Sequence, residues 1–273
     1  MMAFSLVLAF MVLVMASAWA YQRAVGNGAW ADVFWTYGTG VVCAAVALVP
    51  FNGQATSRWR EWVMAALMAI WALRLGGYVI ARVRGSAEDV RYAILRGRWG
   101  AAFQRRMFAL LIVQAPATAF LSVSVLLAAH CPSPRPRSVD LIGLAVMAVA
   151  VIGESLADRQ MRAFKSNPAN EGNVCDKGLW GWSRHPNYFF EWLLWMGLPI
   201  IAVQPLRTLT WLSLAAPLVM FVLLRWVTGV PALEAAMLRT KGEAYRRYQR
   251  RVSAFIPRPP WWRVPHPAAR MQP

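Results

Sequence analysis

Four charged side chains, Glu154, Asp158, Arg162 and Lys165, follow one another at i, i+4, i+8 and i+11, a spacing that places them along one face of a helix. Such a face can hold a polar ligand. The same stripe also reads as an ion-pair ladder, Asp158 with Arg162, on a solvated helix end. Downstream, the run Gly178-Leu-Trp-Gly-Trp-Ser-Arg-His-Pro-Asn-Tyr-Phe-Phe-Glu191 brings Arg184, His185, Asn187 and Glu191 to the start of an apolar segment. Asn187 and Glu191 lie one helical turn apart, and Pro186 suits a helix start, where a missing N–H costs nothing. Polar groups at a membrane boundary are expensive and usually serve a site. Tyr245 and Tyr248, in the amphipathic stretch 231–252, can close over a ligand or lie on the interface with the rest of a basic surface helix.

Two further patterns carry less. Gly26-Asn-Gly-Ala-Trp-Ala31 matches the letters of a G-x-G-x-x-A dinucleotide fingerprint, which works only between a strand and a helix of a βαβ unit. Here it falls between two apolar segments, and a flexible turn is expected. Cys43, Cys131 and Cys175 are widely separated and form neither a disulfide framework nor a metal-ligand pattern, so no metal is expected.

The elements that must position these residues are written in the hydropathy. Of 273 residues, 58% are hydrophobic and 15% charged, more apolar surface than one soluble core conceals. Seven runs approach the roughly 18 to 20 residues that a helix needs to cross a bilayer. They cover 3–20, 33–51, 62–81 with Arg74 inside, 107–129, 141–153 continuing through the charged stripe, 188–203, and 209–230 interrupted by Arg225. Backbone groups in lipid must pair within the segment, and no barrel-like alternation is visible. The expected fold is therefore an all-α integral membrane protein with about seven transmembrane helices and a C-terminal amphipathic helix. Ala18-Trp-Ala20 also resembles a signal-peptide cleavage site, but no basic stretch precedes the apolar run.

Basic residues sort by side. Arg23, seven Lys and Arg after the third span, five after the fifth and nine in the tail fall on one set of ends, against Arg58, Arg60, Arg135, Arg137 and Arg207 on the other. The positive-inside rule places the N-terminus outside and the C-terminus in the cytoplasm. The net charge of +17 lies at membrane boundaries rather than on one soluble face, which points to membrane lipid and not nucleic acid as partner. Trp19, Trp30, Trp35, Trp62, Trp261 and Trp262 fall at span ends, where indoles favour the headgroup level.

Ser183-Arg-His-Pro-Asn-Tyr-Phe-x-Glu191, preceded by Ala157-Asp-Arg-Gln-x-x-x-Phe-Lys165 and followed by Tyr245-x-x-Tyr248 and Ala254-Phe-Ile-Pro257, resembles bacterial membrane relatives of steroid 5α-reductases. Trp71-Ala-Leu-Arg-Leu75 and Glu88-Asp-Val-Arg-Tyr92 extend the resemblance over most of the chain. It implies a single membrane domain, 1–273, in a bacterial inner membrane. Spans in 1–106 would form the lipid-substrate side, 107–256 a cytoplasm-facing cavity for NADPH, and 257–273 a Pro-rich tail. A monomer is expected, taking a lipophilic enone from the bilayer. The resemblance assigns Asp158, Arg162 and Lys165 to the adenosine and phosphate portion of the cofactor, Asn187 and Glu191 to the nicotinamide end, and Arg74 to a further cofactor contact. Asn170, Arg184, His185 and Tyr248 are carried over to the same site.

The implied chemistry is hydride transfer to the β-carbon of an α,β-unsaturated ketone, with a donor stabilising the enolate oxygen. Steroid reductases of the family place a Tyr on the third span and a carboxylate on the second for this purpose. Trp71 stands where the Tyr is expected, so Asp32, Tyr37 and Tyr78 are the candidates by residue type, with Tyr92 close by. The Arg-His-Pro motif and the Phe-Ile-Pro tail also resemble isoprenylcysteine carboxyl methyltransferases, which bind S-adenosylmethionine. The stripe of cations favours the reductase, because S-adenosylmethionine carries no phosphate. A transporter is disfavoured, since the charges gather at one membrane face and no inverted repeat is evident.

Overall fold

The computed structural model describes residues 2–50, 58–84, 88–133 and 135–259. Ten α-helices are formed among them: α1 (Met2–Val25), α2 (Trp30–Leu48), α3 (Arg58–Arg84), α4 (Val90–Trp99), α5 (Phe103–Ile112), α6 (Gln114–Ala129), α7 (Ser138–Ser166), α8 (Pro186–Ala202), α9 (Ala215–Val222) and α10 (Val230–Arg251). No strand joins them; the described residues contain one isolated parallel bridge, between Ser183 and Ser253. The chain is an all-helical integral membrane protein.

Among the described residues six segments, not seven, are long and apolar enough to cross a bilayer: Phe4–Val25, Trp30–Leu48, Arg58–Arg84, Arg91–Ala129, Ser138–Ser166 and Thr208–Arg251. The expected span 188–203 is α8, whose 17 residues rise about 25 Å, at the short end of what crosses a bilayer, and it is not among the six. The expected spans 107–129 and 209–230 are not single helices. The first is broken at Val113 between α5 and α6, where Pro116 enters the first turn of α6 and withholds a backbone donor from the preceding turn. The second runs as a 3₁₀ segment Thr208–Leu214, then α9 with Pro217 in its first turn, then a π turn Leu223–Val227 that carries Arg225. Hydropathy does not register such breaks.

The helices gather into two compact units that alternate along the chain. One takes in the described residues of Met1–Met147 and Trp195–Val222, the other those of Ala148–Leu194 and Leu223–Pro273. In the first, α2 packs on α1, α3 and α6. Its buried face is made of small residues, among them Gly38, Thr39, Gly40, Cys43 and Ala47, which let helix backbones approach where lipid removes the hydrophobic drive for association. A buried Thr39–Thr118 hydroxyl pair at 3.0 Å joins α2 to α6. The core between them is filled by Met11, Met15, Met107, Leu111 and Ala115, all fully buried. Outward-facing Leu6, Leu13, Leu73 and Leu218 are more than half exposed and suit hydrocarbon.

A buried ionic knot closes the loop between α6 and α7. Arg60 is 1% exposed and donates through Nη2 to Asp140 Oδ2 at 2.6 Å and to the Arg135 carbonyl at 2.9 Å, and through Nη1 to the Ser133 carbonyl. Arg137 completes it, donating to Asp140 Oδ1 at 2.7 Å and to the Ile201 carbonyl at 2.5 Å. Two of the five basic residues that the charge count assigns to the outer ends are thus neutralised by an acid. Trp261 and Trp262, expected as interfacial anchors, lie outside the described residues.

Candidate functional site

The charged stripe of α7 lies in the second unit, and burial divides it. Glu154 and Asp158 are 4% and 3% exposed, whereas Arg162 and Lys165, one and two turns later, reach solvent. A helix that carries carboxylates inside and cations at its wet end must hold its acids in polar company, since an isolated buried carboxylate is prohibitive; both acids are so engaged. Beyond the helix end, Asn170 Nδ2 donates to the Phe164 carbonyl at 2.9 Å, so this side chain ties the following loop to an otherwise orphaned helix carbonyl.

That loop is fastened back to α7 by its own aromatics. Gln160 Oε1 accepts from the Leu179 amide at 3.0 Å, and the Trp180 indole donates to the Ala157 carbonyl at 3.0 Å. Tyr248 on α10 then donates to the Trp180 carbonyl at 2.5 Å. Its hydroxyl hydrogen is engaged by the fold in this arrangement, so Tyr248 supports the loop. Tyr245 and Tyr248 are buried with Val252 against Val174, Met237 and Leu238. The apolar face of this helix is therefore covered by protein, contrary to the expectation of a helix lying on the bilayer. The cause is a break inside α10: Gly242 takes φ 51 and ψ −124, a left-handed conformation that a side chain resists, and it redirects the second half of the helix.

Next to the loop, Arg184, His185 and Glu234 form one group. Arg184 donates through Nε to Glu234 Oε1 at 2.6 Å, and through Nη1 to the carbonyls of Gln249 at 3.0 Å and Val252 at 2.6 Å. It thereby caps the C-terminus of α10 with a cation, where helix carbonyls attract one. His185 is 4% exposed, stacks on Tyr188 at 5.7 Å and places Nε2 3.4 Å from the same Glu234 oxygen. Burial pushes its imidazole below the ordinary value, and the facing Glu234 opposes this without cancelling it, while the charges of Arg184 and Arg225 push in the direction of burial. Glu234 Oε2 takes Gln249 Nε2 at 2.9 Å. Glu234 is absent from the sequence-based candidates. Its signal is a carboxylate beside the apolar stripe of a strongly basic helix, next to Leu233, Met237 and Leu238.

Asn187 sits half-buried in the first turn of α8, and Glu191, one turn on, is 5% exposed. The second unit thus gathers Asp158, Arg162, Lys165, Asn170, Arg184, His185, Asn187, Glu191 and Tyr248, nine of the ten expected cofactor residues. Arg74 belongs to the first unit, half-buried on α3 and engaged in a polar interaction.

The three expected catalytic residues also lie in the first unit, Asp32 and Tyr37 on α2 and Tyr78 on α3. Asp32, at the start of α2, accepts from Arg91 Nη2 at 2.6 Å and from the Tyr92 hydroxyl at 2.8 Å. Arg91 in turn binds Asp89, the N-cap of α4. Tyr37 lies across Gly76 of α3 and lines an apolar groove of about 340 Å³ with Phe10, Val14, Val33, Phe34, Gly38 and Val41. Tyr78 packs at the edge of the first core. Trp71 is fully buried, edge-on to Trp35 at 6.3 Å and to Trp195 at 5.3 Å, an aromatic stack with no hydroxyl.

The fingerprint-like turn also has a structural account. Gly26 takes φ 71, and a Cβ on Gly28 would stand 2.7 Å from the Tyr92 ring. The Gly28 amide donates to Glu88 Oε1 at 3.0 Å, and Arg96 grips both oxygens of Glu88 at 2.7 and 2.9 Å. Burial would raise the Glu88 carboxyl, but Arg96 and the Gly28 amide outweigh it and hold the group below its ordinary value.

Residues 18–252 match the model of a family described as a protein of unknown function, DUF1295. The chain belongs to this family. The DUF1295 match runs from the second half of α1 into the residue after α10, so it embraces parts of both units and every candidate residue from Asp32 to Tyr248. No curated protein and no solved structure matches the chain.

Proposed function

We propose that this protein is an NADPH-dependent reductase of the steroid 5α-reductase type, which reduces the carbon–carbon double bond of a lipophilic enone taken from the bilayer. The observation that carries the reading is the division of the α7 stripe into buried Asp158 and solvent-facing Arg162 and Lys165. A dinucleotide with a 2′-phosphate has the same polarity, a base and sugars to be hydrogen-bonded and phosphates to be neutralised, and guanidinium forks suit phosphate. The family resemblance supports it along the same residues.

The residues present fit this cofactor. Arg162 and Lys165 would hold phosphates, Asp158 the adenosine portion, and Asn187 and Glu191 the nicotinamide end; Arg74 is assigned by the resemblance. Arg184, His185 and Tyr248 act behind these, since their polar atoms already bind Glu234, the end of α10 and the Trp180 carbonyl. When bound, the cofactor supplies a hydride to the β-carbon of the enone. The chain's part is to orient the enone and donate to its carbonyl oxygen. Asp32 is engaged by Arg91 and Tyr92, which leaves Tyr37, beside its apolar groove, as the better-placed phenol. The N-terminus is assigned to the outside and the C-terminus to the cytoplasm of a bacterial inner membrane, with the protein acting as a monomer.

Purification in detergent followed by mass spectrometry of the nucleotide released on denaturation tests the reading, with NADPH or NADP⁺ expected. Release of S-adenosylmethionine alone would assign the chain to the methyltransferase class and sink the reductase. Asn187→Ala should abolish hydride transfer to a 3-oxo-4-ene steroid or a similar enone, and unchanged turnover would remove Asn187 from the site.

A further inference from the structure

The second half of α10, after the break at Gly242, carries Arg246, Arg247, Arg250 and Arg251, a pair of arginines repeated one helical turn later. All four are exposed, and Arg247, Arg250 and Arg251 line a shallow cleft of about 540 Å³. The opposite face, Tyr245, Tyr248 and Val252, is buried in protein. Two acids answer the four cations: Glu243 pairs with Arg246 at 3.5 Å and Arg250 at 2.8 Å, and Asp176 pairs with Arg251 at 3.1 Å. Arg247 has no ion pair among the described residues. Pairs this exposed contribute little and exchange partners readily, so the face keeps excess positive charge.

Its height relative to the bilayer follows from its anchors. Ser253 pairs with Ser183, Arg184 N donates to the Ser253 carbonyl at 2.8 Å, and Asp176 belongs to the same loop. That loop leaves α7, a helix long and apolar enough to cross the membrane, and leads into α8. Trp180 of that loop is fastened to the Ala157 carbonyl, about one turn past the apolar part of α7, so the arginine face is tied to the polar end of this helix. An ordinary interfacial helix is held by its apolar face, but here that face is spent on the protein.

We infer that the Arg247–Arg250–Arg251 face is a docking surface for the phosphates of anionic phospholipid headgroups, holding the C-terminal helix to the bilayer by charge alone. The attraction is salt-sensitive and indifferent to acyl chain. It does not depend on the reductase reading.

Native mass spectrometry of the full chain, titrated with phosphatidylglycerol or phosphatidylcholine of identical chains, tests this. Wild type should bind phosphatidylglycerol in preference, and R247Q/R250Q/R251Q should lose that preference by about tenfold or more. R23Q/R105Q/R106Q, which removes as many cations elsewhere, should keep it. An equal loss in both variants would overturn the assignment by showing a diffuse charge effect. The single exposed variant Arg247→Glu, which leaves both ion-paired neighbours in place, should give a smaller loss in the same direction; no loss there overturns the proposal as well. Adenosine 2′,5′-bisphosphate is the competing probe. If it binds wild type and not the triple variant, while the lipid preference stays unchanged, the face serves a soluble phosphate and the lipid assignment fails.

Discussion

In the first unit the charged groups close on one another at the ends of helices: Arg60 and Arg137 on Asp140, Arg96 on Glu88, Arg91 on Asp89 and Asp32. Each set joins a turn to a helix distant in sequence. In the second unit the acids Glu154, Asp158 and Glu191 lie buried along two helices, and the cations of the same stripe stand in water at its end. Ions that join distant segments fasten a fold; exposed cations at the end of a stripe of buried acids are within reach of a soluble anion. The Arg184–His185–Glu234 group lies between these cases, because it fastens α10 and also borders Asn187 in sequence.

The contrast is broken most forcefully at the knot. Arg60→Ala leaves Asp140 buried at 1% exposure with one cation instead of two, and removing one partner of a buried pair costs about 3–5 kcal/mol. Thermal unfolding in detergent should show this, while nucleotide retained on purification, per folded molecule, stays unchanged. The companion R60M/D140L should recover much of the loss, since an apolar pair of similar volume needs no desolvation. A smaller effect is expected for Glu234→Ala, which strips Arg184 of its carboxylate where that guanidinium is 10% exposed. A loss of about 2–3 kcal/mol in stability is expected, together with weakened nucleotide retention. Loss of stability alone would move Glu234 to the fastening class.

Much of this was legible in the sequence, for identifiable reasons. Composition and apolar runs announce a helical membrane protein because lipid admits only helices or closed barrels, and the runs show no barrel-like alternation. The α7 stripe is legible because its i, i+4 spacing is local, and the glycines between α1 and α2 read correctly as a turn. What was not legible depends on pairs distant in sequence. Asp32 cannot be seen to bind Arg91 and Tyr92, nor Tyr248 to donate to Trp180, without the fold that brings them together. The breaks at Val113 and before α9 were available from Pro116 and Pro217, but hydropathy averages over them. Glu234 was hidden because an acid among arginines reads as one more surface pair.

Protonation separates the units more finely. His185 is held below its ordinary 6.5 by burial, so the unfolded chain takes up a proton first as pH falls. Its contribution to stability is complete above about pH 6.5 and is lost as pH drops from there toward the folded value. Glu88 is held below its ordinary 4.5, so its contribution is complete above about pH 4.5 and is lost below, toward its folded value. Unfolding followed from pH 7 downward should show the second unit weakening before the first. The chain has three histidines, which makes ¹⁵N-histidine NMR decisive for His185: its ring should remain neutral below pH 6.5. Glu234→Gln removes the opposing carboxylate and should lower the midpoint further; an unchanged midpoint would uncouple the two groups.

The mildest test concerns Tyr248, which the family resemblance places at the cofactor and the structure places under the Trp180 carbonyl. Tyr248→Phe keeps the ring packed with Tyr245 and Val252 and removes one buried hydrogen bond, at a cost of about 1–2 kcal/mol. If the tyrosine acts through the fold, thermal stability falls by that amount and nucleotide affinity follows only as far as the loop from Gly178 to Ser183 loosens. Trp180→Phe, which deletes the indole donor to Ala157 on the opposite side of the same loop, should then give a matching loss of affinity. Should Tyr248→Phe lower affinity tenfold while Trp180→Phe leaves it intact, the hydroxyl touches the ligand directly. Tyr248 would then have to release Trp180 on binding, and the second unit would rearrange where the first does not.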